Sequence, residues 1–241
     1  MNGKDGLTVK EGATTDKVLL AYNNGTDSLL SDEQARKAFR YQIDAAGIAS
    51  AQPDAAGALG GPISPLEPGY EDLTGLYPHD ENQAGQMFSY FGAQYLTTVN
   101  LVVPEEYRSL AETIKQQIER QPRPTVNLEV LSDEDYAKRI KDGKWELTVM
   151  SMDGTDDAGI FADPDSMFHY EAQQAYADAR AATNDADYEA RMKAYARLIS
   201  EDAASDWLYT RKCFTVASTK VSGYPTSMIN RRMPLAGLTV K

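Results

Sequence analysis

The chain has 241 residues, 42% hydrophobic and 25% charged, with a formal net charge of -12 and a pI near 4.6. That is an ordinary globular composition, sufficient for one large or two small domains that bury roughly 70–75% of the unfolded surface. So acidic a chain repels phosphate backbones and anionic lipid, which argues against nucleic acid or a membrane surface as partner. The single cysteine, Cys213, excludes an internal disulfide and a cysteine-based metal cluster; with Phe214, Val216 and Ala217 beside it, it reads as a small buried hydrophobe.

In chain order, residues 1–16 mix Gly, Lys, Asp and Thr without periodicity, which predicts a flexible leader. Residues 17–22 are a short apolar run stopped by Asn23, Asn24 and Gly25, a strand and its turn. Asn24-Gly25-Thr26 also fits a glycosylation sequon, but the local composition favours the turn. Ser31 is the expected cap of a helix with Ala35, Ala38, Phe39 and Ile43 on its apolar face. Arg36, Lys37 and Arg40 would lie on its solvated side, and Gly47 would end it. In residues 49–77, Pro53, Pro62, Pro65 and Pro68 forbid a continuous helix or inner strand. They predict a long surface loop of the kind that faces a ligand or partner.

Residues 80–92 resume helical spacing through Ala84, Met87, Phe88 and Phe91, with Gly92 as the stop. Residues 97–103 alternate through Val99, Leu101 and Val103; Pro104 then opens a helix with Tyr107, Leu110, Ile114 and Ile118 on one face. After Pro122 and Pro124, residues 125–131 alternate again, Ser132 caps a short helix that Gly143 ends, and Trp145, Leu147 and Val149 mark another strand. Two strand–helix–strand units in succession predict a three-stranded parallel core with right-handed crossovers, an α/β fold. Further on, Phe168, Ala172, Ala175, Tyr176 and Ala179 form one helical stripe, and Tyr188, Met192, Tyr195 and Ile199 a second. Residues 207–209 and 213–217 read as two strands, and Gly223-Tyr224-Pro225 opens an irregular tail.

The loop Asp153-Gly154-Thr155-Asp156-Asp157-Ala158-Gly159 follows a parallel strand at its carboxyl end, where open α/β sheets place ligands. Its aspartates and glycines let carboxylate and backbone approach a cation, although an acidic solvated turn has the same composition. A calcium loop would need a glutamate at the twelfth position, which is missing, and His79 and His169 are too isolated to form a metal pair.

Residues 35–44 form an Arg-x-Ala helix pattern, followed by Gly61-Pro62-Ile63-Ser64-Pro65. Tyr77-Pro78-His79-Asp80, Asp163-Pro164-Asp165 and Ile199-Ser200-Glu201-Asp202-Ala203 come after it in order. Taken in this order, from about residue 17 to the end, these stretches resemble the family 5 extracytoplasmic solute-binding proteins, the oligopeptide and dipeptide receptors of ABC importers. The resemblance implies a periplasmic-binding-protein-like type II lobe with a mostly parallel sheet flanked by helices. It implies a ligand-binding lobe over 17–217, with residues 17–22 and 207–217 as hinge strands, and a tail over 218–241 returning toward a first lobe that this chain lacks. The implied function is solute binding, expected to be of a peptide, without catalysis or cofactor, for a membrane permease. The implied setting is extracytoplasmic, in the periplasm or on a cell-surface lipoprotein.

Family members that bind peptides carry Gly-Trp and then an ammonium-binding aspartate at the strand end; here Ser151-Met152 stands in place of that pair. The resemblance puts the aspartate's position on Asp153, Gly154, Thr155 or Asp156, and with Asp157 these are the expected ligand-binding residues. Two other classes fit the residues less well: a metal-dependent hydrolase using the acidic loop 153–157, and a protein-interaction module using the Pro/Gly-rich segment.

Overall fold

The computed structural model describes residues 6–90, 97–232 and 234–241. In chain order its elements are β1 (Leu7–Tyr22), α1 (Glu33–Gln42), α2 (Ala45–Ala51), β2 (Ala55–Ala58), α3 (Glu81–Tyr90), β3 (Thr98–Pro104), α4 (Arg108–Ile118), β4 (Thr125–Leu131) and α5 (Asp133–Lys141). There follow β5 (Leu147–Met152), α6 (Gln173–Arg180), α7 (Asp185–Glu201), β6 (Ser205–Ser218), and the short pair β7 (Val221–Ser222) and β8 (Thr239–Val240). Six strands form one mixed sheet in the order β2-β6-β1-β5-β3-β4.

The alternating segments become the parallel half of that sheet: β3 pairs in parallel with β4 through seven residues and with β5 at Leu101 and Leu147. β1 then joins β5 antiparallel and pairs β6 on its other side, so residues 17–22 lie beside 205–210 although nearly the whole chain separates them. The expected adjacency of residues 17–22 to the strand around Trp207 holds, whereas Phe214 pairs with Glu11, farther down β1. Val99, Leu101, Leu147 and Val149 are fully buried, while Leu128 and Val130 on the edge strand β4 are only half-buried, since β4 has a neighbour on one side alone.

Side-chain alternation sends Val18, Leu20 and Tyr22 into a core with α1, α3 and α4, and Leu19, Ala21 and Trp207 into a second core with Met192, Tyr195 and Ile199 of α7. The chain steps outward from β3 to β4 and then back past β3 to β5. Right-handed crossovers in opposite directions require helices on opposite faces, as seen for α4 in the first core and Tyr136 and Ile140 of α5 against the second. Local signals hold at α5: Ser132 accepts from the Asp135 N–H, and Gly143, at φ 66, takes the left-handed turn that ends it.

Several expectations need correction. The leader is a strand from Leu7 onward, because β6 supplies hydrogen-bond partners that no local pattern reveals. Asp32, not Ser31, caps α1, and the chain breaks at Ile43–Asp44; Gly47 lies inside α2, whose start Asp44 caps. Arg36 and Arg40 are buried rather than solvated. Arg36 donates to the carbonyls of Leu30, Ser31, Asp202 and Ala203, and Arg40 to those of Ser205 and Gly60, so the fan of guanidinium donors has replaced water. Residues 49–77 are not a surface loop throughout: they contain part of α2 and β2, and residues 59–64 are buried.

The predicted strands at 207–209 and 213–217 are one, β6, and the helix drawn through Phe168 starts only at Gln173. Cys213 is half-buried, its thiol donating to the Thr226 carbonyl at 3.1 Å. Phe91 and Gly92, the expected end of α3, lie outside the described residues. Asn24 spends its amide on the Phe168 and Ala204 carbonyls, in keeping with the turn reading. No described helix is long and apolar enough to cross a membrane.

Candidate functional site at the carboxyl edge of the sheet

The loops leaving adjacent strands β3 and β5 part to opposite faces, and such a divergence opens a crevice at the carboxyl ends of the strands. Because β1 and β6 run antiparallel to β5 and to each other, respectively, residues 15–17 of β1 and 210–211 of β6 arrive at the same edge. The expected loop 153–157 follows β5 there.

Each carboxylate of that loop has a different fate. Asp157 accepts from the Gly154 N–H and stands 3.8 Å from the Lys17 ammonium; burial pushes its carboxyl above the ordinary range, against the pull of Lys17. Lys17 is fully buried. Its ammonium donates to Glu67 at 2.8 Å and to the Gly154 carbonyl at 3.0 Å, and Glu67 in turn accepts from the Ser64 N–H. One buried cation thus ties β1, the loop and the Gly/Pro-rich segment together. Asp156, left-handed at φ 78, turns its carboxylate toward α6, where the Tyr176 hydroxyl donates at 2.7 Å and Arg180 lies at 3.4 Å. Asp153 pairs with Arg231 of the tail, and Thr155 shares hydrogen bonds with Asn230. The structure therefore brings Asp153, Gly154, Thr155 and Asp157 around Lys17 and the tail, and directs Asp156 elsewhere.

Three residues at this edge escaped the sequence reading. Tyr107, immediately after β3, belongs to the helical stripe by its spacing, yet its hydroxyl accepts from Arg211 at 3.2 Å, and burial pushes its hydroxyl above the usual range. Arg211 of β6 also pairs with Asp54 at 3.1 Å and with Asp16 at 3.6 Å. Asp16 keeps one buried oxygen without a hydrogen-bond partner, and burial raises its carboxyl despite Arg211. The position of Tyr107 at a parallel strand's carboxyl end was a usable signal; Asp16 and Arg211 had none, because only long-range strand pairing places them here.

Among the described residues, no group of three or more His, Cys, Asp or Glu side chains converges as a metal site. The edge offers paired charges, backbone N–H groups and an aromatic hydroxyl, groups that can hold a polar ligand.

No protein-family model and no curated protein matches this sequence. Solved structures do match its fold. HbpA2 from Haemophilus parasuis superposes with a TM-score of 0.83 at 14% identity, covering 98% of this chain and 50% of that one. DppA from Helicobacter pylori, an ABC transporter-associated periplasmic binding protein in complex with the peptide STSA, gives a TM-score of 0.79 at 17% identity over 98% of this chain and 49% of that one. A dipeptide-binding protein from Pseudoalteromonas sp. SM9913, in complex with Met-Leu, gives 0.75 at 15% identity over 99% and 51%. The chain thus spans about half the length of each of these proteins. Its fold is that of a periplasmic-binding-protein-like type II lobe.

Proposed function

We propose that this chain is one lobe of a two-lobed, non-catalytic solute receptor serving an ABC importer outside the cytoplasmic membrane, with a peptide as ligand. The observation that carries the reading is the near-complete overlap of this chain with half of each of the three structures described above, two of which hold a peptide. In this reading residues 17–217 are the lobe, anchored to the membrane as a lipoprotein or free in the periplasm, and 218–241 run toward the first lobe. Residues 153–155 and Asp157, with Tyr107 and Arg211, form one wall of a cleft that the first lobe closes. Paired β1 and β6 are the hinge, and closing two lobes on a ligand removes water from the polar anchors, which is when they become strong.

Calorimetry with a panel of peptides and sugars tests this on the chain alone and on a longer polypeptide carrying the first lobe. The expected result is tight peptide binding by the two-lobed protein and weak binding by this lobe. Loss of an anchoring hydrogen bond in Asp153→Ala should weaken the two-lobed protein roughly ten- to hundredfold. Chemical turnover of any ligand, or full affinity in the single lobe, refutes the reading.

A further inference from the structure

The acidic loop is already engaged from within the chain. After β6 the tail returns along the lower half of β1: the Met228 N–H donates to the Ala13 carbonyl at 3.0 Å, and the Thr15 N–H to the Met228 carbonyl at 3.2 Å. Gly12 permits this approach, since a Cβ there would stand 2.0 Å from the Thr226 carbonyl oxygen. The next residues lie on the loop. The Asn230 N–H donates to the Thr15 hydroxyl at 3.0 Å, which donates onward to the Asp153 carbonyl at 3.2 Å. The Asn230 amide donates to the Thr155 hydroxyl at 2.8 Å and accepts from the Thr155 N–H. The Arg231 guanidinium pairs with the Asp153 carboxylate.

Asn230 and Arg231 have φ 51 and 55, a conformation unfavourable for residues with a Cβ, and such conformations persist where surrounding contacts fix them. Of the three loop aspartates, Asp157 is pinned by buried Lys17 and by Gly154, and Asp156 by Tyr176. Asp153 is held by an arginine whose side chain is 69% exposed. An ion pair so wet is weak, and a competing cation can exchange into it.

We propose that Arg231 is a specificity-determining residue: it occupies the carboxylate that a ligand's ammonium group would take, so cationic ligands enter by displacing the 230–231 strap from Asp153. The competition raises the threshold affinity a ligand needs, because the open form is only a fraction of the molecules. The ligand role rests on the proposed function; the docking of the strap does not.

Two measurements separate these. Limited trypsin digestion reads docking alone, as cleavage after Arg231 followed by mass spectrometry. The expected result is slow cleavage in the wild type, several-fold faster in high salt, in Asp153→Asn and in Asn230→Gly, which keeps the backbone conformation but removes the side-chain bonds. Equal rates in all of them overturn the proposal and leave the receptor reading standing. Calorimetry on the two-lobed protein then compares Ser-Thr-Ser-Ala with its N-acetylated form. Arg231→Ser should tighten the free-amine peptide roughly fivefold, the worth of an exposed ion pair, and leave the acetylated peptide unchanged. Unchanged or weakened free-amine binding overturns the competitor role, and absence of binding by both peptides overturns it together with the peptide reading.

Discussion

The two halves of β1 make an instructive pair. Residues 17–22 are all fully buried, sandwiched between β5 and β6 with a core on each face; residues 7–12 hydrogen-bond to the same β6 yet are exposed or half-exposed. Strand pairing is alike in both. What differs is the third strand and the covering helices, which supply the apolar burial from which most stability comes. The upper half therefore behaves as core and the lower half as a ribbon that carries the tail, and only the upper half should be sensitive to mutation.

Truncation sharpens that contrast most. Leu20→Ala, in the upper half, should cost about 3–5 kcal/mol in denaturant unfolding, through lost transfer energy and a cavity between packed layers. Arg36→Met comes next, at about 2–4 kcal/mol, because it strands buried carbonyls at Leu30 and Ala203. A Tm within a degree of wild type for Leu20→Ala would show that the upper half is not the stabilising core, and the same result for Arg36→Met would show that its carbonyl partners find water instead.

A pH effect of intermediate size belongs to the upper half as well. Asp206, opposite Leu20, is buried beside Arg40 at 3.0 Å, and burial outweighs that partner, so its carboxyl is pushed up to about 7. A carboxyl raised in the folded state binds its proton more tightly there, so stability is greatest below the unfolded value and is lost as pH rises toward and through about 7. Between about pH 5 and 8 unfolding free energy should fall by about 2 kcal/mol from this group, and the slope should flatten in Asp206→Asn. A slope unchanged by that substitution would assign the pH dependence elsewhere. The smallest effect is expected on the ribbon: Phe214→Ser, at a 57% exposed position, should change stability by no more than about 0.5 kcal/mol. A large loss would mean that the ribbon is covered in solution.

The sequence carried the parallel half well. Its alternation at Val99, Leu101 and Val103, its cap at Ser132 and its stop at Gly143 are local chemistry, and each sits where the pattern put it. The acidic loop was placed at a strand end by the same logic, but composition treated its aspartates alike. Lys17, Tyr176 and Arg231 distinguish them, and those residues come from β1, α6 and the tail.

By itself, then, the sequence determined the elements whose partners lie close along the chain: crossover units, helix faces and caps, all set by backbone geometry and side-chain periodicity. Tertiary structure decided what depends on distant segments meeting. It extended β1 back to Leu7 by offering β6 as partner, drew Arg36 and Arg40 inside by supplying carbonyls from Ala203 and Ser205, and assembled Asp16, Tyr107 and Arg211 at one edge. Hydrogen bonds and ion pairs form wherever donor and acceptor are brought together, and their strength depends on the water excluded around them. Neither condition is written in a local stretch of residues.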